Sequence, residues 1–307
     1  MQPTIQTHRL TKSYKGFQAV KDVSLQMYEG DIYGLIGLNG AGKTTMIKML
    51  LGMIKPTNGH CYIKGEKVTP ANQHIWKDVG YLVETPQAYA ELTVEENLDI
   101  YRRLHLISNK DVIFQVMNQL RLTRYAHIKA GNLSLGNAQR LGLAKALLNT
   151  PDILMLDEPV NSLDPAGIVD IRKLLQDLAT QRGVTILISS HLLSEVAKIA
   201  TKIGIIHEGR LIQEIKAKQL MHLLQRHLII HTRDNKTASV KLTKAGYTAN
   251  INEDGQIEIK EQKAVQHPDE ISRLLVKEGY PPMQITIAEE NLESYFLSII
   301  EEKGENA

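Results

Sequence analysis

Three unalternating apolar runs stand out along the chain: "IYGLIG" from Ile32, "ILML" from Ile153 and "TILIS" from Thr185. Each is short and is followed by glycine or polar residues, the pattern of parallel strands covered on both faces. Helical spacing lies between them, around Thr44–Leu51, Ala138–Leu148 and Ile168–Thr180. The pattern predicts an α/β sheet with its active groups at the carboxyl ends of the strands. The early stretch "HRLTKSYKGFQAVKDVSLQM" alternates and predicts antiparallel strands, and "IGIIHEGRLIQEI" predicts a hairpin turning at Glu208 and Gly209.

Between about residues 82 and 150 the spacing turns helical, which predicts a helical insertion in the α/β core. Thr93 and Glu96 form a capping box ahead of "VEENLDIYRRL". Ser134 is placed to cap the helix of "LSLGNAQRLGLAKALL", where Ala138, Leu141, Ala144 and Leu148 recur at helical spacing. After Ala217 short strand-like runs ("HLIIHTR", "YTANINEDGQIEIK", "MQITIA") mix with helical ones ("PDEISRLLVKEGY", "ENLESYFLSIIEEK"). The expected organisation is an α/β domain over 1–216 and a small α+β accessory domain over 217–307.

Composition narrows the function classes rather than the fold. With 307 residues there is room for a large domain and an appendage. Thirty-six basic residues against 34 acidic ones leave a net charge of +2, which gives no electrostatic case for nucleic acid or an anionic membrane surface. A single cysteine, Cys61, excludes an internal disulfide and fits a small apolar filler in a strand. The N-terminus lacks the basic-then-apolar design of a signal peptide, and no apolar run approaches the ~20 residues that cross a bilayer.

The chemistry concentrates where the strands end. "GLNGAGKTT" follows the run at Ile32 and satisfies G-x-x-x-x-G-K-[ST] with Gly37, Gly42, Lys43 and Thr44. Such a loop aims backbone N–H groups at phosphate oxygens; Lys43 adds a point charge and the Thr44 hydroxyl a ligand for Mg²⁺. A glycine-rich strand–helix turn with a surface lysine is the bland alternative. "ILMLDEP" ends a strand in Asp157, a carboxylate for the same cation, and Glu158 follows as an acceptor for a proton from water. Taken alone, that pair reads equally well as a helix cap. His191, at the end of "ILISSH", is placed to report a γ-phosphate, and Tyr14 offers an aromatic face to a base; each alone reads more readily as structural.

In this order Tyr14, "GLNGAGKTT", a Glu84-containing loop, "LSLGNAQR", "ILMLDEP", "NSLDP" and His191 resemble the nucleotide-binding subunit of ABC transporters over about Thr4–Ile215. The resemblance implies ATP and Mg²⁺ as cofactors. It assigns nucleotide contacts to Tyr14, Gly37, Asn39, Gly40, Ala41, Gly42, Lys43, Thr44 and Thr45 and metal contacts to Thr44, Asp157 and Glu84. Catalysis would fall to Glu158, His191 and Lys43. It also implies a head-to-tail pair of identical chains, with Ser134 and Gly136 facing the nucleotide held by the partner and Asp164 at the same interface. Separate integral-membrane permease subunits would complete the complex on the cytoplasmic face of the membrane, with no nucleic acid involved.

Two departures mark a subgroup. Leu135 and Asn137 stand where the usual signature has glycine and glutamine, and Glu84 stands at a loop position normally held by glutamine, with Gln87 as the rival. These, with "NLESYFLSIIEE", resemble exporters that protect bacteria from bacitracin and lantibiotics. Other cargo, or a soluble ABC-type ATPase acting on ribosomes or DNA, are the alternatives. Tyr89 and Leu92 read equally as lining a groove for a permease helix or as internal packing.

Overall fold

The computed structural model describes residues 2–84, 87–223, 226–252, 254–289 and 292–304. By contacts the chain divides into two compact units, one running to Ala217 and taking in the chain from Ile299 onward, the other spanning Lys218–Ser298.

The first unit opens with alternating strands β1 (Ile5–Tyr14), β2 (Phe17–Val23) and β3 (Gln26–Met27), then β4 (Ile32–Ile36) and helix α1 (Lys43–Leu50). Next come β5 (Asn58–Ile63), β6 (Glu66–Lys67) and β7 (Val79–Leu82), and the helices α2 (Val94–Leu104), α3 (Asp111–Gln119) and α4 (Leu135–Leu147). The unit continues with β8 (Ile153–Asp157), α5 (Pro165–Arg182), β9 (Thr185–Ser190), α6 (Leu193–Ala197), β10 (Lys202–His207) and β11 (Arg210–Lys216).

Among the described residues one sheet runs β11-β10-β4-β9-β8-β7. Strands β10, β4, β9, β8 and β7 are parallel to their neighbours, and β11 returns antiparallel through the Glu208–Gly209 turn. The apolar runs form its middle: every residue of β4, β8 and β9 is buried, because helices cover both faces. That burial places the ends of β4, β8 and β9 side by side, and with them Gly37, Asp157 and His191. A second, antiparallel sheet runs β2-β1-β5-β6, with β3 on β1. Its buried face joins α1 through a shared core that includes Leu10, Val20, Met46, Ile47, Cys61 and Ile63. Burial pushes the Cys61 thiol up to about 11, as befits an inert apolar filler.

The second unit reads β12 (Arg226–His231), α8 (Asn235–Lys244), β13 (Ala249–Ile251), β14 (Ile257–Ile259), α9 (Gln262–Gln266), α10 (Pro268–Lys277) and β15 (Gln284–Glu289) after a short α7 (Ala217–Leu223), and α11 (Leu292–Gly304) follows. Its sheet order is β13-β14-β12-β15, antiparallel throughout. This is a split βαβ arrangement, with α8, α9 and α10 closing one apolar core around Leu228, Ile230, Ile257 and Ile259.

Helix α8 escaped the sequence pattern. Its run "NKTASVKLTK" is rich in Thr, Ser, Val and Asn, which are poor helix formers. The fold secures it by burying Ala238 and Leu242 and by the Asp234 cap on the Thr237 N–H.

Candidate functional site

The loop from Gly37 to Gly42 leads from β4 into α1, and two of its glycines are required by backbone space. At Gly42 φ is +106°, and a Cβ would stand 2.3 Å from the Ala19 carbonyl oxygen. At Gly37 a Cβ would meet the Ile206 carbonyl at 2.5 Å. Asn39 and Gly40 lie exposed at the tip, and Ala41 is buried beneath them. Helix α1 has no side-chain cap and no acidic residue in its first turn. The N–H groups around Lys43, Thr44 and Thr45 and the positive end of the helix dipole are therefore available to an anion.

Lys43 is 6% exposed, and its ammonium donates to the Gly37 and Leu38 carbonyls at 2.7 and 3.2 Å. It also stands 3.6 Å from a carboxylate oxygen of Glu158. Thr44 Oγ1 donates to Asp157 Oδ2 at 2.6 Å, so a hydroxyl and a carboxylate converge at the mouth of the loop. A hard cation of the Mg²⁺ kind takes this donor set: oxygen only, one carboxylate, with phosphate and water for the rest. Among the described residues no group of three or more His, Cys, Asp or Glu could hold a metal.

Glu158 sits at φ +49°, a strained conformation for a residue with a Cβ. Three neighbours fix it. Its N–H donates to the Ser189 carbonyl at 3.1 Å and approaches Ser189 Oγ at 3.2 Å, while Gln139 Nε2 donates to its carbonyl at 3.1 Å. The side chain lies 3.0 Å from His191 Nδ1. Ser189 also donates to the other Asp157 oxygen, orienting the carboxylate whose partner oxygen meets Thr44.

Ser189 and Gln139 were missed by sequence reasoning. The signal for Ser189 was available, two residues before His191 and hence on the same side of the strand end. For Gln139 there was none, because a helix position five residues past a cap says nothing of its tertiary partner.

The Ser134 region forms a separate cluster. Ser134 caps α4, its Oγ accepting from the Asn137 N–H at 3.3 Å. Asp164 caps α5, accepting from the Gly167 N–H at 3.1 Å. Ser134, Gly136, Ser162 and Asp164 share the wall of one surface hollow of about 560 Å³. Leu135 is 74% exposed. Tyr14 ends β1 with its ring half exposed and the Lys12 ammonium 5.1 Å from the ring centre.

The Glu84 carboxylate is ion-paired with Lys48, one helical turn beyond Thr44, and its backbone is left-handed at φ +60°. Gln87 offers its carbonyl to Lys145 at 2.6 Å. Tyr89 is exposed and Leu92 half-buried; the buried Asn97 amide bonds to both backbones and shapes the turn ahead of α2.

The family model described as "ABC transporter" matches residues 20–161. The bacitracin transport ATP-binding protein BcrA of Bacillus licheniformis is 39% identical over 302 residues, covering 98% of each chain. The chain belongs to the ABC transporter ATP-binding proteins. The lantibiotic transport ATP-binding protein SrtF of Streptococcus pyogenes is 35% identical to this ABC subunit, over 68% of it and 90% of SrtF. Among solved structures, the dimeric post-hydrolysis ATP-binding cassette MJ0796 bound to ADP and Pi superposes with a TM-score of 0.65 at 26% identity. The superposition covers 69% of this chain and 98% of that cassette. The α/β fold expected from the apolar runs, with the phosphate loop expected from Gly37, Gly42, Lys43 and Thr44, is therefore the fold of the protein, and this ABC subunit binds and hydrolyses ATP.

Proposed function

We propose that this ATPase drives an exporter that clears bacitracin- or lantibiotic-type peptides from the membrane and so confers self-protection or resistance. The observation that carries the reading is the relation to BcrA, which runs through the second unit as well as the first, at 98% coverage of both chains. No helix among the described residues is long and apolar enough to cross a membrane. Integral-membrane permease subunits would supply the path for the peptide, and this chain would sit against them on the cytoplasmic face.

In this reading Thr44 and Asp157 would hold Mg²⁺, which would supply positive charge to offset that of the phosphates. The loop N–H groups and Lys43 orient the γ-phosphate. Glu158 accepts a proton from the attacking water as the new P–O bond forms and the bond to ADP breaks. His191, in contact with Glu158, holds that carboxylate in line. Ser134 and Gly136 of a second copy complete the phosphate cage, so closure of the pair depends on nucleotide. Tyr14 stacks on the base, and Asp164 lies where the two copies meet.

The test is peptide sensitivity in the native host. Replacing the chromosomal copy with Glu158→Gln should make the strain as sensitive to bacitracin or a lantibiotic as a deletion of the coding sequence. Unchanged resistance to both classes would move the cargo elsewhere, while ATPase assays on the purified complex would still report the enzyme.

A further inference from the structure

We propose that Asp170 is a positioning residue for the Ser134 edge, its carboxylate held between Arg121 and Arg140 so that the mouth of α4 keeps its place against the start of α5. Asp170 is half-buried on α5, within two turns of the Asp164 cap. Arg121, in the turn that ends α3 and left-handed at φ +55°, donates to Asp170 Oδ1 at 2.6 Å. Arg140, buried on α4, brings its guanidinium to 3.8 Å from the other oxygen, Oδ2. It also donates to the Leu120 carbonyl at 3.3 Å and so reaches the end of α3. The two helices lie close. A Cβ on Gly136 would stand 2.9 Å from the Ser162 carbonyl oxygen, and one on Gly167 2.8 Å from the Arg140 guanidinium. Asp170, Arg121 and Arg140 line the same hollow as Ser134 and Asp164.

Ordinary stabilisation does not account for the carboxylate. Arg121 is exposed, and an ion pair with an exposed partner adds little to stability. Oδ2 is enclosed and accepts no hydrogen bond among the described residues, since Arg140 stands beyond hydrogen-bonding distance. An enclosed carboxylate oxygen in that state costs stability that an apolar side chain of similar size would not. What the charge provides is direction: two guanidinium groups from separate elements draw α5, α4 and the end of α3 to one point. Among the described residues none of the three side chains bonds to Lys43, Thr44, Asp157 or Glu158, so their effect falls on the Ser134 edge and not on the corner. The consequence for turnover rests on the head-to-tail reading, in which Ser134 serves the nucleotide of the second copy; a small displacement of such a group slows the chemistry.

ATPase assays on mixtures of full-length chains test this. Asp170→Asn alone should bind a fluorescent ATP analogue within about twofold of the wild type, yet turn over about tenfold more slowly at saturating ATP. Asp170→Glu, which keeps the charge, should lose no more than about twofold. Mixed in equal amounts with the inactive Lys43→Ala, Asp170→Asn should recover to about a quarter of wild-type turnover, because half of the pairs then join an intact phosphate loop to an intact Ser134 edge. A fault in folding or in its own phosphate loop would stay with the chain and give no recovery. The reference is Ser134→Arg mixed with Lys43→Ala, which should recover equally. Recovery for Ser134→Arg but not for Asp170→Asn overturns the role of Asp170, as does unchanged turnover in Asp170→Asn alone. Recovery for neither overturns the head-to-tail reading and the proposal with it. Thermal melts report folding. Should Asp170→Asn not fold, Arg121→Met, altered at an exposed side chain, carries the same test with about a threefold loss.

Discussion

The Lys43 corner and the Ser134 edge belong to one proposed catalytic cycle, yet the fold treats them in opposite ways. At the corner, Lys43 and Asp157 are buried, Glu158 is held at a strained φ, and each polar group is tied to a neighbour of the same chain. At the edge, Ser134, Leu135 and Asp164 are exposed and only their capping bonds are made internally. A site completed within one chain satisfies its own buried groups, because an unpaired buried charge is costly. In the proposed head-to-tail pair, the exposed Ser134 and Asp164 would face a second copy. The difference teaches that the chain ties down the Lys43 corner by itself and leaves the Ser134 edge in solvent, as the proposed pairing requires.

The sharpest break of that comparison is Glu158→Gln. Turnover should fall by about 10²–10⁴-fold while nucleotide affinity holds, because only proton acceptance is lost. Phosphate release and a fluorescent-nucleotide titration check it; retained turnover would take Glu158 out of the chemistry.

Mixing comes next. Lys43→Ala and Ser134→Arg should each be inactive alone, and an equimolar mixture should regain about a quarter of the wild-type sites, since half the pairs hold one intact combination. Absence of recovery in ATPase assays of the mixed complex would place Ser134 outside a shared site.

Lys145, buried on α4 outside the corner, extends the comparison. Desolvation lowers its ammonium from the ordinary 10.5 to about 8. Below pH 8 both folded and unfolded chains hold the proton, so burial of the charge costs stability in full. Between pH 8 and 10.5 the folded chain gives up the proton first, and the cost declines. Lys145→Met should therefore melt higher than the wild type at pH 7, by a few degrees, with the gap closing toward pH 10. A gap that widens with pH in differential scanning fluorimetry would contradict this environment for Lys145. Tyr81, Tyr101, His105, Lys48 and Glu84 line one cavity with Lys145 and must be held constant across the comparison.

The smallest effect is expected at Leu135. With its side chain in solvent, Leu135→Gly should cost no more than the loss of helix propensity, below about 1 kcal/mol by thermal melting. A larger loss would mean that the edge is packed within the chain after all.

Much of this was legible locally. The phosphate loop is contiguous, and its conformation follows from where glycine is required. The buried strands announce themselves as unbroken apolar runs, and the caps at Thr93, Ser134 and Asp164 lie within three residues of the N–H groups they satisfy. Helix α8 was not legible, since its helical state comes from burial rather than from its residues.

By itself, then, the sequence determined the buried core strands, the phosphate loop, and the acidic and histidine groups at the strand ends, because each depends on neighbours along the chain. Tertiary structure alone decided that Thr44 meets Asp157 across 113 positions, that Ser189 and Gln139 brace Glu158, and that Glu84 answers to Lys48. Those pairings are set by how the sheet and its helices pack, and side-chain partners distant in sequence leave no periodicity to read.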